Sequence, residues 1–188
     1  MSTNHHFRSG IAPANRHWVL LVMLLGAVLG FVSRAQSLSD AFADRDSDNN
    51  EAGSARANNA SATLEPREPR HGGKPGGHSM WIQWTAPATG IATVSTDGSD
   101  FDTLLSVYVI DPSNPEKPVM DRLRTIALND DAPDAKTSLV QFGAIAGTVY
   151  QIAVDGYAGA SGDIRLRWDL VRSDVPLPTI VQVPPDRA

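Results

Sequence analysis

The chain has no cysteine among its 188 residues. A protein without cysteine has neither a disulfide framework nor a thiol nucleophile, so both classes are excluded. Common catalytic signatures are missing too, because the sequence contains no Gly-x-Ser-x-Gly, no His-Glu-x-x-His and no Gly-Lys-Ser/Thr phosphate loop. Stability must therefore come from packing or from a bound ion, and function must be sought outside these motifs.

Acidic residues are missing from residues 1–35, which contain three of the 16 Lys and Arg residues and none of the 21 Asp and Glu residues. Residues 1–17 form a basic n-region, and the apolar run that follows, residues 18–32, is 15 residues long. That run is short of the ~20 residues that span a bilayer. Ser33-Arg34-Ala35 then places small residues at positions −3 and −1. We predict a signal peptide, residues 1–35, with a signal helix and cleavage after Ala35; an uncleaved signal anchor is the alternative.

Removal of this segment changes the net charge from −5 to −8, since 16 − 3 = 13 basic residues then remain beside 21 acidic ones. An acidic protein repels phosphate backbones, so we expect no nucleic-acid partner. We expect a secreted or periplasmic protein without membrane contact after signal cleavage. If the anchor is kept, the protein is tethered to the membrane instead.

Short strand-like runs separated by turn residues fill residues 80–171. The clearest case lies in residues 163–170, where Ile164, Leu166, Trp168 and Leu170 face one way and charged residues face the other. No helical period of useful length follows Ala35. This pattern predicts an all-β protein with an antiparallel β-sandwich or jelly-roll core in residues 80–171.

The segments on either side of this core are polar or rich in proline. Composition alone predicts a disordered linker in residues 36–79. Asp44-x-Asp46-x-Asp48 does not continue as an EF-hand loop, because Asn49 and Ala55 stand where that loop needs Gly and Glu. Residues 172–188 contain four prolines, so we expect an extended Pro-rich tail there.

Acidic and amide residues gather at the ends of the predicted strands, where the loops of a sandwich converge. Calcium takes six to eight oxygen ligands from carboxylates, amides and carbonyls, and exported domains meet free calcium. The candidate ligands are Glu65, Glu68, Asp100, Asp102, Asn129, Asp130 and Asp131. The competing interpretation is that these side chains cap turns through hydrogen bonds to the backbone, and spacing alone does not choose between the two.

A small secreted hydrolase is an alternative hypothesis. It would use Asp130 and Asp131, or the two histidines of the Gly-rich loop, His71 and His78. Adjacent aspartates in turns are more often caps or ion ligands than an acid–base pair, and no third residue accompanies the histidines at a fixed spacing. We therefore predict that the protein is not an enzyme.

Aromatic side chains offer a candidate ligand surface. Trp84 and Trp168 share the apolar parity of their strands, so we expect them in the core. We predict that Trp81 and Tyr157 are instead exposed and line a surface that binds a ligand.

Five segments together carry a family resemblance. They are Glu65-Pro-Arg-Glu-Pro-Arg-His71, Gly76-Gly-His-Ser-Met-Trp-Ile-Gln-Trp-Thr-Ala-Pro87, Gly98-Ser-Asp-Phe-Asp-Thr-Leu-Leu-Ser-Val-Tyr108, Asn129-Asp-Asp131 and Ala146-Gly-Thr-Val-Tyr-Gln-Ile-Ala-Val-Asp-Gly-Tyr157. These segments resemble the bacterial pre-peptidase C-terminal domains, and the likeness runs from about residue 39 to residue 170. Arg67 departs from the pattern, since the family commonly has Gly at that position.

The resemblance implies a β-sandwich of jelly-roll type, similar to collagen-binding domains, with no catalytic residues. It also implies that residues 36–79 are the first part of the domain, and that an ion would lie at Glu65 and Glu68 with the Asn129-Asp-Asp131 turn. We expect an exported accessory or binding module, stabilised by Ca²⁺, that binds an extracellular polymer or protein surface or assists a secreted hydrolase such as a peptidase. A cell-surface adhesion or assembly subunit is a further hypothesis.

Overall fold

The computed structural model describes residues 36–173, and these residues form an all-β sandwich. The predictions for the signal peptide and for the tail beyond residue 173 fall outside the described residues. The strands are β1 (Gln36–Ser37), β2 (Ser47–Asp48), β3 (Ala52–Asn58), β4 (Met80–Thr85), β5 (Gly90–Ser95), β6 (Thr103–Ile110), β7 (Leu123–Asn129), β8 (Leu139–Ala144), β9 (Val149–Gly156) and β10 (Asp163–Arg172). Short 3-10 turns occupy Phe42–Asp44, His71–Gly73, Val119–Arg122 and Tyr157–Gly159. Among residues 36–173, no helix has the length and apolar character needed to cross a membrane.

The ten strands form two five-stranded sheets. Sheet A has the order β1-β3-β10-β5-β8, and sheet B has the order β2-β4-β9-β6-β7. Neighbouring strands are antiparallel, except that the two-residue strands β1 and β2 run parallel to β3 and β4. The prediction of an all-β sandwich is therefore confirmed.

The main hydrophobic core fills the space between the sheets. The period of two in β10 produces one side of it, since its even-numbered residues from Ile164 to Leu170 are buried and its odd-numbered residues are exposed. Trp84 and Trp168 both lie in this core, as the parity of their strands predicts. Trp84 stacks on Tyr150 with the ring centroids 5.7 Å apart.

The central strands of sheet B are covered on their outer face as well, whereas the edge strand β7 is mostly exposed. Strands β4, β6 and β9 are buried at most positions, which explains why β6 is a continuous apolar run in the sequence. Irregular segments around Phe42, His71 and Met120 cover this face and pack against Trp81 and Tyr108.

This cover corrects one prediction. Trp81 has no exposed surface, because the rings of Phe42 and His71 each meet its indole edge-on at 5.0 Å. Trp81 therefore belongs to a second core and not to an exposed ligand surface. Its parity in β4 is opposite to that of Trp84, and both parities are buried in a strand that is covered on two faces.

Residues 36–79 contain β1, β2 and β3 and two of the 3-10 turns. Strand β3 pairs with β10 along its whole length, from Asn58 opposite Asp163 to Ala52 opposite Asp169. This segment has few large apolar residues because large side chains of β10 fill the space beside β3. A Cβ atom on Gly53, for example, would overlap the indole of Trp168. The small and polar residues of this segment therefore include a paired strand with small side chains, β3. The disordered linker that composition alone predicts is not found there.

Replacement of Gly53 by alanine tests this packing. We expect Gly53→Ala to lower the free energy of unfolding by about 1–3 kcal/mol, because the added methyl group must displace a rigid buried indole. Ala52→Ser, an exposed change in the same strand, should alter it by no more than about 0.5 kcal/mol. Urea unfolding monitored by tryptophan fluorescence measures both. Equal stability of the two variants would show that β3 does not pack tightly on Trp168.

Candidate functional site

Three carboxylates meet at one corner of sheet B. Asp102 immediately precedes β6, and Asp130 and Asp131 immediately follow β7. Strands β6 and β7 are antiparallel, with Leu105 opposite Asn129, so the start of one strand and the end of the other lie at the same edge. One carboxylate oxygen from each aspartate lies within 4.8 Å of the others. We call Asp102, Asp130 and Asp131 the acidic corner.

Two lysines approach the acidic corner without neutralising it fully. The Nζ atom of Lys136 lies 3.6 Å from Oδ2 of Asp102, and that of Lys74 lies 3.7 Å from Oδ2 of Asp130. Burial raises the pKa of Asp130, and the neighbouring carboxylates of Asp131 and Asp102 raise it further, against the lowering effect of Lys74. The corner is thus a place where negative charge accumulates.

One oxygen of the acidic corner has no partner. Oδ1 of Asp102 is buried and accepts no hydrogen bond from any described residue. A buried carboxylate oxygen without a donor loses its hydration without compensation, which costs about 1–3 kcal/mol or more for a charged group. No hydrogen bond among the described residues offsets this cost at Asp102.

Buried hydroxyl groups hold the loop that carries these aspartates. The hydroxyl of Ser138 lies 2.6 Å from the carbonyl oxygen of Thr103 and 2.8 Å from that of Asp130, and it has one proton to donate. The backbone N–H of Ser138 donates to Oγ1 of Thr96 at 2.7 Å. Asn129, which the sequence suggests as an ion ligand, instead accepts the N–H of Leu139 through its side-chain oxygen at 3.1 Å. This residue caps the loop, and the corner is fixed in place by the hydroxyl cluster beneath it.

Asp100 also has a capping role. Its Oδ1 accepts the backbone N–H of Asp163 at 2.7 Å, which fastens the turn before β6 to the start of β10. The capping interpretation thus accounts for Asn129 and Asp100, whereas the cluster geometry sets Asp102, Asp130 and Asp131 apart.

Glu65 and Glu68 lie outside the acidic corner, which corrects the predicted grouping. Oε2 of Glu65 accepts the N–H of Phe42 at 3.0 Å, and Oε2 of Glu68 accepts the N–H of Glu65 at 2.7 Å. The other oxygen of Glu68 accepts from Nε2 of His71 at 2.8 Å. Both glutamates are used to hold irregular backbone against sheet B.

A buried hydrogen-bond chain therefore runs from Glu68 through His71 to Tyr108. The side chains of Glu68 and His71 have no exposed surface, and Nδ1 of His71 lies 2.9 Å from the hydroxyl of Tyr108. With a proton on Nε2, the hydroxyl donates to Nδ1. Burial raises the pKa of Tyr108 to about 12, so the phenol stays protonated at neutral pH. The role of this chain is structural, since its members are sealed between the segment 65–73 and sheet B.

The Gly-rich loop between His71 and His78 is anchored by an acid that the sequence does not single out. Asp155 of β9 is 2% exposed, and it accepts backbone N–H groups from Gly77, His78 and Gly156 at 2.7 to 3.0 Å. A Cβ atom on Gly76 would overlap its carboxylate, so glycine is required for this close approach. His78 lies 2.8 Å from the carbonyl oxygen of Ala62 through Nδ1. Both histidines thus have structural partners.

Tyr157 is the exposed aromatic residue that the sequence predicts. Its exposed fraction is 42%, and Nζ of Lys74 lies 6.0 Å from the centre of its ring. Because Lys74 also contacts Asp130, the ring lies on the same side of the molecule as the acidic corner.

Comparison with known proteins adds no assignment to this geometry. No model of a known protein family matches the chain. No protein of curated function matches it either.

Removal of the Glu68 carboxylate tests the structural role of the buried chain. We expect Glu68→Ala to lower the free energy of unfolding by about 3–5 kcal/mol, because it leaves His71 and a backbone N–H buried without an acceptor. Asp121→Asn removes an exposed partner of Arg67 and should cost no more than about 1 kcal/mol. Chemical denaturation of both variants gives the comparison. Similar losses in the two variants would contradict a structural role for the chain.

Proposed function

We propose that this protein is an exported, non-catalytic binding or accessory module whose acidic corner binds Ca²⁺. The observation that carries the proposal is the convergence of Asp102, Asp130 and Asp131, with one oxygen of Asp102 buried and without a donor. Calcium–oxygen distances are about 2.3–2.6 Å, so oxygens on opposite sides of an ion lie about 5 Å apart. The separation of at most 4.8 Å fits that span.

The charge balance also favours a divalent cation. Three carboxylates face two lysines whose Nζ atoms stand 3.6 and 3.7 Å away, which is beyond ordinary hydrogen-bond distance. Each lysine side chain is at least half exposed, so it can swing into water when an ion takes its place. A hard divalent ion with carboxylate ligands is typical of calcium, and water molecules complete such a shell in many proteins.

The structural use of both histidines supports a non-catalytic role. His71 is sealed in the chain with Glu68 and Tyr108, and His78 is bound to the carbonyl oxygen of Ala62. Neither is positioned as a base beside Asp130 or Asp131. The alternative of a small secreted hydrolase would have to operate on those two aspartates alone, at a corner that also holds two lysines.

The finer form of the fold that we propose is a jelly roll of the pre-peptidase C-terminal type. Its support is the nesting of the strand pairs: β3 with β10, β4 with β9, β5 with β8, and β6 with β7. A chain folded as one long hairpin and then rolled into two sheets has this order. Arg67 adds support, because it has a φ of 69°, in the left-handed region that favours the glycine commonly found there in that family.

The partner that we propose is an extracellular polymer or protein surface, with a secreted peptidase as one candidate. Tyr157 is exposed beside Lys74 and offers an aromatic contact of the kind that such surfaces use. Secretion or release to the periplasm is proposed with it, on the support of the signal-peptide pattern in the sequence of residues 1–35. A cell-surface adhesion subunit held by an uncleaved anchor is the alternative, and a mature N-terminus at Gln36 would exclude it.

Calcium binding is tested by the melting temperature of the protein with calcium and with EDTA. At a calcium concentration 100 times the dissociation constant, one bound ion should raise the free energy of unfolding by about 2.7 kcal/mol. In EDTA, Asp130→Asn should be as stable as the native chain or more stable, because it removes like-charge repulsion, and it should lose most of the calcium effect. Differential scanning calorimetry measures both results.

Asp169→Asn is the matched control, since Asp169 is an exposed carboxylate on sheet A. This variant should keep the full effect of calcium. An unchanged melting temperature on addition of calcium, together with no calcium in the purified protein by elemental analysis, would overturn the proposal.

A further inference from the structure

The outer face of sheet A carries three arginines close together. Arg165 and Arg167 are exposed residues of β10, and Arg56 is an exposed residue of β3. Arg56 lies directly opposite Arg165 in the register of the two strands. Directly opposite residues have Cβ atoms about 4.5–5.5 Å apart, and diagonal neighbours are still within reach of long side chains. We call Arg56, Arg165 and Arg167 the arginine face.

None of these three guanidinium groups has a carboxylate partner among the described residues. Like charges directly opposite one another destabilise an antiparallel pair. Arg172 of the same strand differs, since it forms an ion pair with Glu51. The arginine face is therefore a local excess of positive charge in a chain whose net charge is −5.

Two acids of β10, Asp163 and Asp169, flank the arginine face on the same side of the strand. Oδ1 of Asp163 accepts a hydrogen bond from the side chain of Asn58 at 2.7 Å. Asp169 lies two residues beyond Arg167 and pairs in register with Ala52. These two acids bound the arginine face at both ends along β10, which limits it to a compact group and disfavours a long polyanion.

We propose that the arginine face binds a compact tetrahedral dianion, a phosphate or sulfate group. Arg56 and Arg165 line a shallow depression of about 300 Å³ together with Asp163. A guanidinium group donates two parallel hydrogen bonds to such an oxyanion. Three guanidinium groups carry more positive charge than a singly charged carboxylate ligand would balance, which favours a doubly charged ligand. Ser54 and Ser95 lie opposite Arg167 on the two neighbouring strands and present hydroxyl groups to the same face.

The site is separate from the acidic corner. It lies on sheet A, whereas Asp102 and Asp130 flank strands of sheet B. Binding of an oxyanion there requires no calcium, so failure of either proposal leaves the other standing.

Thermal unfolding in inorganic phosphate and in inorganic sulfate tests the site, against sodium chloride at matched ionic strength. We expect either dianion to raise the melting temperature of the native chain by a few degrees. Arg165→Gln should melt at the same temperature or higher in chloride, because the repulsion with Arg56 is relieved, and its affinity for the dianion should fall roughly tenfold or more. Arg172→Gln, which loses a paired arginine, should keep the native response.

A second arm distinguishes a free ion from a group carried on a lipid. Phosphatidylcholine vesicles with and without phosphatidic acid are mixed with the same proteins and sedimented. Binding that needs phosphatidic acid and is lost in Arg165→Gln would support the site with a membrane phosphate as its source. The proposal is overturned if neither dianion nor vesicle has an effect beyond that of chloride, or if Arg165→Gln responds as the native chain does.

Discussion

The burial of the central strands of sheet B on both faces is the constraint on which the rest of the structure depends. A sheet covered by irregular backbone must satisfy the polar groups of that backbone away from water. The chain Glu68–His71–Tyr108 and the carboxylate of Asp155 do this for residues 65–78. Glu68 and Asp155 accept hydrogen bonds from donors inside the protein, so their role is structural. Loss of this cover would expose Trp81 and the outer side of β6.

The same cover positions the acidic corner. The N–H of Gly72 donates to Oγ of Ser106 at 2.9 Å, which ties the loop after His71 to the middle of β6. Lys74 follows two residues later and reaches Asp130. Residues 36–79 are thus connected to the acidic corner through the contacts of Gly72 and Lys74. The aspartates of the corner themselves flank the paired strands β6 and β7. Loss of the buried chain would therefore disturb Lys74 before it disturbed Asp102 or Asp131.

The sequence predicts the sandwich well and the site only in part, for physical reasons that particular residues show. The alternation in β10 can be recognised in the sequence because one of its faces is exposed to water. Trp81 misleads because both faces of β4 are covered at that end of the strand. Asp102 is about thirty residues from Asp130, and only the antiparallel register of β6 with β7 brings them together. Asn129 and Asp100 belong to the same polar turns, yet their side chains bind backbone N–H groups. Spacing does not separate a cap from a ligand, since both need a short polar side chain at a strand end.

The two charged clusters present the same physical problem with opposite sign. Like charges are held side by side at the acidic corner and on the arginine face, and each arrangement lowers the stability of the ligand-free protein. Opposite charges lie nearby in both places and offset the repulsion only in part: the lysines stand 3.6 and 3.7 Å from the aspartates, and Asp163 lines the same depression as Arg56 and Arg165. Local rules of folding are broken in native proteins mainly at functional sites. A fold that leaves these two groups of like charges only partly compensated directs attention to both as places where ions or charged partners bind.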